Sequence, residues 1–401
     1  MKILFVSQYF FPETFRGNDI AFELAKEHDV HVITATPNYP KGKFFDGYGW
    51  FKKSHEVVNG VRVTRIPVIP RGHNSIMLLL NYFSFMINAC IYILFHAINH
   101  KYDRVFVQQL SPVMMSMPGI LYKKLRKAPL FLWVLDLWPE SLSAAGGINN
   151  KYILNFFDLF VKSEYKNADK ILISSRSFEQ SIMKYSNYSD KIIFYPQWAE
   201  DVFKHNDEKE NKEECSSSTF KVMFAGNVGE SQDFDHIMQA ALETKDNKHI
   251  EWVIVGDGRK LQWVRDFVKT NDLDDTVTMT GRRPVEEMPS FFSTADVMLV
   301  TLKDTPIFRL TAPAKIQAYM SASKPIIGMI SGEGSELIKE AKCGVCVPAE
   351  SPNELAKVLT QLSTMKTEDL KIMGENGYQY YYTHFRKDIC INNLKDIMNL
   401  N

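Results

Sequence analysis

VMFAGNVGESQ, residues Val222–Gln232, is the stretch on which the architecture of this chain turns. A short apolar run opens into a glycine turn, and an amphipathic pattern follows over Asp235–Leu242. Glycine lets the backbone come close to a ligand, and the first N–H groups of the next helix have no partner inside it. A single turn of this kind is common. Here the arrangement recurs. Gly256-Asp257-Gly258 follows the strand candidate Glu251–Val255, and Gly281-Arg282-Arg283 follows Thr276–Met279. Gly332-Glu333-Gly334-Ser335 follows Pro325–Met329. Strand, turn and amphipathic helix in repetition predict a doubly wound parallel sheet with ligand loops at the strand carboxyl ends.

Upstream, the same alternation occupies the first half. Strand candidates are Lys2–Ser7, Val30–Thr34, Val61–Ile66, Arg104–Val107, Leu130–Val134, Lys170–Ile173 and Ile192–Tyr195. Helix candidates separate them at Asp19–Glu27, Ile76–Asn99, Val113–Arg126, Lys151–Lys166 and Ser177–Tyr185. Between the halves, His205–Thr219 is charged and serine-rich and cannot offset its ordering entropy by burial, so it reads as a linker. The expected organisation is α/β, with two Rossmann-like domains facing across a cleft: residues 1–197, residues 198–380, and a C-terminal helix over 381–401 that either caps the second domain or crosses back to the first.

With 401 residues, 45% of them apolar, the chain can bury two cores. Lys+Arg and Asp+Glu both number 47, so no global basic field attracts nucleic acid. Five cysteines fit a reducing compartment better than a disulfide framework. Cys343 and Cys346 form a CxxC that runs into a strand end, with no second pair to complete a zinc set. The first residues read as a buried strand and lack a secretory pattern.

Several residues stand where chemistry is expected. Arg282 and Arg283 offer forks to diphosphate oxygens, against a surface pairing with Glu286 or Glu287. Thr311 is the expected N-cap of a helix with Pro313 in its first turn, which places Lys315 at the helix start. A cation there opposes the helix dipole unless an anion is bound; the alternative is a lysine extended to solvent. In the first half, Asp136 ends a strand within Trp133–Ser141, where it is suited to bind or activate an acceptor hydroxyl. Glu140 is a second acceptor contact or a first-turn helix carboxylate. Gly17 in the loop after the first strand is expected near the donor, and Arg16 near an acceptor phosphate.

Ile76–Ile98 is long enough to span a bilayer, but Asn81, Ser84 and Asn88 share one helical face. The expectation is a helix packed on its own domain with an apolar face toward lipid, against a plain core helix. Lys52, Lys53, Arg62, Arg65, Arg71 and the run Lys123–Lys127 would support it at an anionic surface.

The loops AGNVG, VGDGRK, TGRRPVEEMPSFFSTADV and APAKIQAYMSASKPII resemble the nucleotide-binding half of family 4 glycosyltransferases. SQYFFPETFRGNDIAFELAKEHDVHVIT and DLWPES resemble that family's acceptor half, so the likeness runs from Met1 to about Leu362. Gly226-Asn227-Val228-Gly229-Glu230-Ser231-Gln232 is similar to the loop of the bacterial L-fucosamine transferase branch of surface-polysaccharide assembly. The resemblance implies the GT-B fold and transfer with retention. The donor it implies is a UDP-linked N-acetylated 6-deoxy sugar such as N-acetyl-L-fucosamine; the acceptor is an undecaprenyl-diphosphate-linked saccharide, used in O-antigen or capsule assembly. It implies a cytoplasmic protein peripheral on the inner membrane face. Without a DxD-type motif no metal and no cofactor is expected, the UDP-sugar being a substrate. Donor contacts are expected from Gly17, Gly226, Asn227, Gly229, Gln232, Gly256, Gly281, Arg283, Thr311, Glu333, Gly334 and Ser335. Asp136, Lys315 and Arg282 are the expected catalytic residues.

The sequence also departs from that family. Its usual pair of glutamates falls on Leu310 and Ala318, its first-loop Arg and Lys are replaced near Asn227 and Gln232, and Ser323 stands where glycine is frequent. Rival readings are therefore a UDP-sugar epimerase of the same fold, a non-catalytic partner in a polysaccharide complex, and an integral membrane protein.

Overall fold

The computed structural model describes residues 1–72, 74–146, 150–203 and 219–400. The expected linker, apart from Thr219, and Cys215 within it lie outside the described residues. Two compact units result: Met1–Pro196 together with Ile391–Asn401, and Gln197–Cys390.

Among its described residues the N-terminal unit has eight strands: β1 (Lys2–Val6), β2 (Asp29–Ala35), β3 (His55–Val58), β4 (Val61–Ile66), β5 (Arg104–Gln109), β6 (Leu130–Val134), β7 (Lys170–Ile173) and β8 (Ile192–Phe194). Their order is β3-β4-β2-β1-β5-β6-β7-β8, parallel except for β3 against β4. The second unit holds β9 (Phe220–Ala225), β10 (Ile250–Val255), β11 (Val277–Gly281), β12 (Val297–Thr301), β13 (Ile326–Met329) and β14 (Gly344–Val347), ordered β11-β10-β9-β12-β13-β14 and all parallel. Helices cover both faces of such sheets, so central strands are apolar throughout. LFLWV in β6 and VMLVT in β12 are buried at every residue.

Each order reverses once, between β1 and β5 in one unit and between β9 and β12 in the other. These are the topological switch points where an open α/β sheet leaves a crevice at its carboxyl edge. The loop Gly226–Gly229 leaves β9 at one of them, and the loop before the helix Arg16–Leu24 leaves β1 at the other.

The strand β3 was not expected. It is a half-exposed edge strand, and its signal was the Asn59-Gly60 turn into β4, where both residues have positive φ (48° and 81°). The CxxC lies around β14. Its thiols are bonded to Ile338 and Ser335 carbonyls, and burial raises Cys343 to about 12 and Cys346 to about 11. Both are protonated near neutrality, as structural cysteines are.

The helix Ser75–Asn99 packs through its polar stripe. Asn81 donates to the Ile69 carbonyl at 2.7 Å and Asn88 to that of Pro67 at 2.8 Å, while the Ser84 hydroxyl accepts from Ile69 N–H at 3.0 Å. The opposite face leaves Ile76, Leu79, Leu80, Ile87, Ile91, Leu94, Phe95 and Ile98 exposed. The helix Lys151–Asn167 adds exposed Tyr152, Ile153, Phe156 and Leu159, joined to the first helix by Phe83 against Phe156 at 6.2 Å. The basic residues around this region are largely engaged inside the unit. Arg65 is buried on Glu56, Arg62 pairs with Asp29, Lys123 with Asp169, and Arg126 binds the Ala97 and Ile98 carbonyls. The expected run of free cations is thus reduced, because these side chains cap helix and strand ends.

Candidate functional site

In the C-terminal unit the first two glycine loops are pressed together at the switch point. A Cβ on Gly256 would lie 1.8 Å from the Gly226 carbonyl oxygen, and one on Gly258 would lie 2.2 Å from that of Val228. Val228 N–H donates to Asp257 at 2.9 Å, and Lys260 N–H to Val228 at 3.0 Å. Only glycine permits this approach, and Gly256 also has φ +151°. The result is a double-layered loop with Gly226 and Asn227 exposed and Gly229 buried.

Lys315 reaches this loop from the helix Ala314–Ser321. Its Nζ donates to Gln232 Oε1 and lies 3.8 Å from the centre of the Phe224 ring; a Cβ on Gly226 would stand 3.0 Å from its Cε. Gln232 is held in turn by Thr301 at the end of β12, whose hydroxyl donates to the Gln232 carbonyl at 2.5 Å. The helix is anchored from behind by Tyr319, whose hydroxyl donates to the Ala225 carbonyl and accepts from its N–H, both at 3.2 Å. Among the described residues no carboxylate pairs with Lys315. Burial lowers it from 10.5 to about 7. A lysine at the start of a helix with no side-chain cap is the electrostatic complement of a phosphate.

Two helix starts converge beside it. Pro313, and not Thr311, is the N-cap of Ala314–Ser321. The Thr311 hydroxyl instead donates to the Ile307 carbonyl at 2.9 Å, closing the preceding turn, so the expected capping role is corrected. Neither this helix nor Glu333–Glu340 has a side-chain cap. A Cβ on Gly334 would stand 3.2 Å from Pro313 Cδ, which brings the two starts together; Ser335 is buried and Glu333 opens its helix.

The arginines are placed differently. Arg282 and Arg283 follow β11, the edge strand, separated from β9 by β10. At nearly 5 Å per strand that is roughly 10 Å from the Gly226 loop. Both are exposed. Arg283 lies 4.0 Å from Glu287 and over the Phe291 ring at 5.5 Å, the surface pairing weighed above. Gly281 (φ +72°) turns the chain there. At the switch point the structure brings together Lys315, Gln232, Gly226 and Gly256, and sets Arg282 and Arg283 on the flank.

In the N-terminal unit, Asp136 follows β6. Its carboxylate accepts from Ser141, and burial raises its pKa, opposed by hydrogen bonds from Ser141, Trp138 and Ser111. Glu140 opens the helix Glu140–Gly146 as a first-turn carboxylate and accepts from the Ser181 hydroxyl at 2.9 Å through Oε1, while Oε2 is buried with no partner among the described residues. Gly17 is the second residue of the helix Arg16–Leu24, where a Cβ would stand 2.0 Å from Gln108 Oε1. The missing side chain lets this turn pack closely on Gln108 of β5. Arg16 begins that helix.

One group escaped the sequence reading. Glu13 is 3% exposed, accepts the N–H groups of Asn38 (2.8 Å) and Tyr39 (2.7 Å) through Oε1, and leaves Oε2 without a partner among the described residues. Burial raises it from 4.5 to about 7. Its only sequence signal was a carboxylate directly after the first strand, in FFPET.

Two doubly wound sheets of this kind define the GT-B fold, and solved structures agree. Sucrose-phosphate synthase from Thermosynechococcus elongatus superposes with TM-score 0.74 at 13% identity, covering 100% of this chain and 98% of that one. Anabaena HepE, solved with UDP and glucose, gives 0.69 at 13% identity over 100% and 99%. Residues 219–365 match the family model Glycosyl transferases group 1. The probable glycosyltransferase WbjE of Pseudomonas aeruginosa is 27% identical over 274 residues, 65% of this chain and 67% of its own. The putative colanic acid biosynthesis glycosyl transferase WcaI of Escherichia coli K12 is 27% identical over 275 residues, 64% and 66% respectively. These sequence matches span about two thirds of each relative. The likeness to group 1 glycosyltransferases is thus carried by residues 219–365, and the sequence relatives are glycosyltransferases, one of them assigned to colanic acid biosynthesis.

Proposed function

We propose that the protein transfers an N-acetylated 6-deoxy sugar, such as N-acetyl-L-fucosamine, with retention from a UDP-sugar to an undecaprenyl-diphosphate-linked saccharide. The setting is O-antigen or capsule assembly at the inner face of the cell membrane. The observation that carries it is Lys315, half-buried beside the Gly226 loop and two uncapped helix starts, with no carboxylate partner among the described residues. Transfer needs stabilisation of the departing diphosphate, and preorganised N–H groups and a cation provide it without solvent reorganisation. As the glycosidic bond to UDP breaks, the leaving phosphate oxygen takes the proton of the acceptor hydroxyl on the same face. The new bond forms there, with no metal and no protein nucleophile. Asp136 binds the acceptor, and the sugar-nucleotide contacts come from Gly226, Asn227, Gly229, Gln232, Gly256, Glu333, Gly334 and Ser335. Arg282 and Arg283 serve the outer edge of the donor.

The membrane reading is supported by the apolar face of Ser75–Asn99 and its continuation on Lys151–Asn167. Each such Leu, Ile or Phe side chain contributes up to about 1.5–3 kcal/mol when withdrawn from water. A non-catalytic reading is favoured by one observation, the replacement of the family's glutamates by Leu310 and Ala318. Both readings are separated by thermal shift and transfer assays with UDP-, GDP- and dTDP-sugars. A UDP-sugar raises the melting temperature and is consumed only when a lipid-linked saccharide is added. A new epimer formed without acceptor, or no stabilisation by any sugar nucleotide, refutes the proposal.

A further inference from the structure

The carboxyl edge of the N-terminal sheet carries a second set of groups outside the donor loops. At the β1/β5 switch point Tyr9, just after β1, donates its hydroxyl to the Ser111 carbonyl, just after β5, at 3.2 Å. Arg71 donates through Nη1 to the Tyr9 hydroxyl at 3.2 Å and stands over the Tyr39 ring at 5.2 Å. Phe15 closes the group, its ring 5.1 Å from Tyr9 and stacked, and 5.4 Å from Tyr39. Tyr39 is 36% exposed, so this aromatic set opens to solvent through one ring.

Two features mark it as more than packing. Arg71 forms no ion pair among the described residues, and of the guanidinium's five N–H donors one has a described acceptor. The main chain of Arg71 is also anchored. Its backbone N–H donates to Asn38 Oδ1 at 3.0 Å, and Asn38 and Tyr39 are fixed by the buried carboxylate of Glu13. A fork placed by Tyr9 and Tyr39, with its remaining donors without a described acceptor beside an exposed aromatic face, suits a ligand with a sugar ring next to an anion. The ring's C–H face lies on the aromatic, and the oxygens meet the guanidinium bidentately. The same hydrogen-bonded edge reaches Asp136, because Trp138 donates to the Ser111 hydroxyl at 3.2 Å and Ser111 in turn supports the Asp136 carboxylate.

We infer that Arg71 and Tyr39, with Tyr9 and Phe15 behind them, form a subsite for the diphosphate and first sugar of a glycosyl-diphosphate acceptor. Glu13 is its positioning residue. This deepens the transfer reading by assigning acceptor recognition, and it is tested without turnover.

The test is calorimetric binding to the full chain, with no donor present. The probes are GlcNAc-diphosphate on a farnesyl chain, the neutral farnesyl glycoside of GlcNAc, and inorganic pyrophosphate. Wild type is expected to bind the first probe at least tenfold more tightly than either of the others. Arg71→Gln and Tyr39→Leu each lose tenfold or more for the first probe, and Arg71→Lys recovers part. Arg71→Gln leaves affinity for the neutral glycoside and for UDP unchanged. Equal binding of the first probe by wild type and Arg71→Gln, at matched melting temperatures, overturns the inference. So does pyrophosphate binding as tightly as the saccharide, which describes an anion site alone. Should Arg71→Gln unfold, Tyr39→Leu carries the decision. Failure of wild type to bind UDP, with acceptor binding intact, would sink the donor reading and leave this one standing.

Discussion

Substitution of Lys315 separates the anion site from a structural lysine. Burial brings its pKa down to about 7, so the ligand-free protein is close to half-protonated at neutral pH. A diphosphate on the ammonium favours the charged form and raises that value. If UDP binds only the protonated lysine, affinity follows the protonated fraction, about one half at pH 7 and about one hundredth at pH 9. That is roughly a 50-fold loss across the range, or about 2.3 kcal/mol at 1.36 kcal/mol per decade. UDP titrations by calorimetry at fixed ionic strength measure it. Lys315→Arg, which stays charged, should flatten the profile, and Lys315→Met should bind weakly at every pH. Lys315→Met should also melt higher than wild type at pH 7 without ligand. The unfolded chain holds more protons on this lysine between about pH 7 and its unfolded value, so the buried cation costs stability there. A wild-type affinity that is level from pH 7 to pH 9 would refute the reasoning, whatever the variants did.

Two further outcomes follow from the packing. Glu13 has a folded value of about 7 against 4.5 unfolded, so its contribution is full below pH 4.5 and is lost as pH rises through 7. The difference amounts to about 3 kcal/mol; Glu13→Gln should therefore gain on wild type in melting temperature at pH 8 and not at pH 5, and equal differences at both would contradict a buried, proton-holding carboxyl. Gly256→Ala places a Cβ 1.8 Å from the Gly226 carbonyl oxygen, so urea denaturation should show a loss of more than about 2 kcal/mol together with weakened UDP binding. A wild-type midpoint would mean that the two loops separate freely.

Much of the molecule was legible in sequence because parallel strands buried on both faces must be apolar throughout. KILFV, LFLWV and VMLVT are short uninterrupted runs, and the glycine turns after β9, β10 and β13 sit where a backbone must turn sharply or approach another. The polar stripe Asn81, Ser84 and Asn88 also predicted its own packing, because three- and four-residue spacings put those side chains on one helix face. Edge strand β3 was missed because half-exposed residues carry little hydrophobic period.

The sequence could not decide which of its polar residues face a ligand. Thr311, Glu140 and Arg283 had the right types in the right places, and each also has a local partner that the sequence does not show: a turn carbonyl, a serine hydroxyl, a neighbouring glutamate. Lys315 and Arg71 looked no different along the chain. Strand order alone brought Lys315 to Gly226 across a crossover, and set Arg71 between Tyr9 and Tyr39. Local sequence sets a residue's type and its period on an element. Whether a buried charge finds a countercharge is fixed only when elements far apart in sequence are folded against each other.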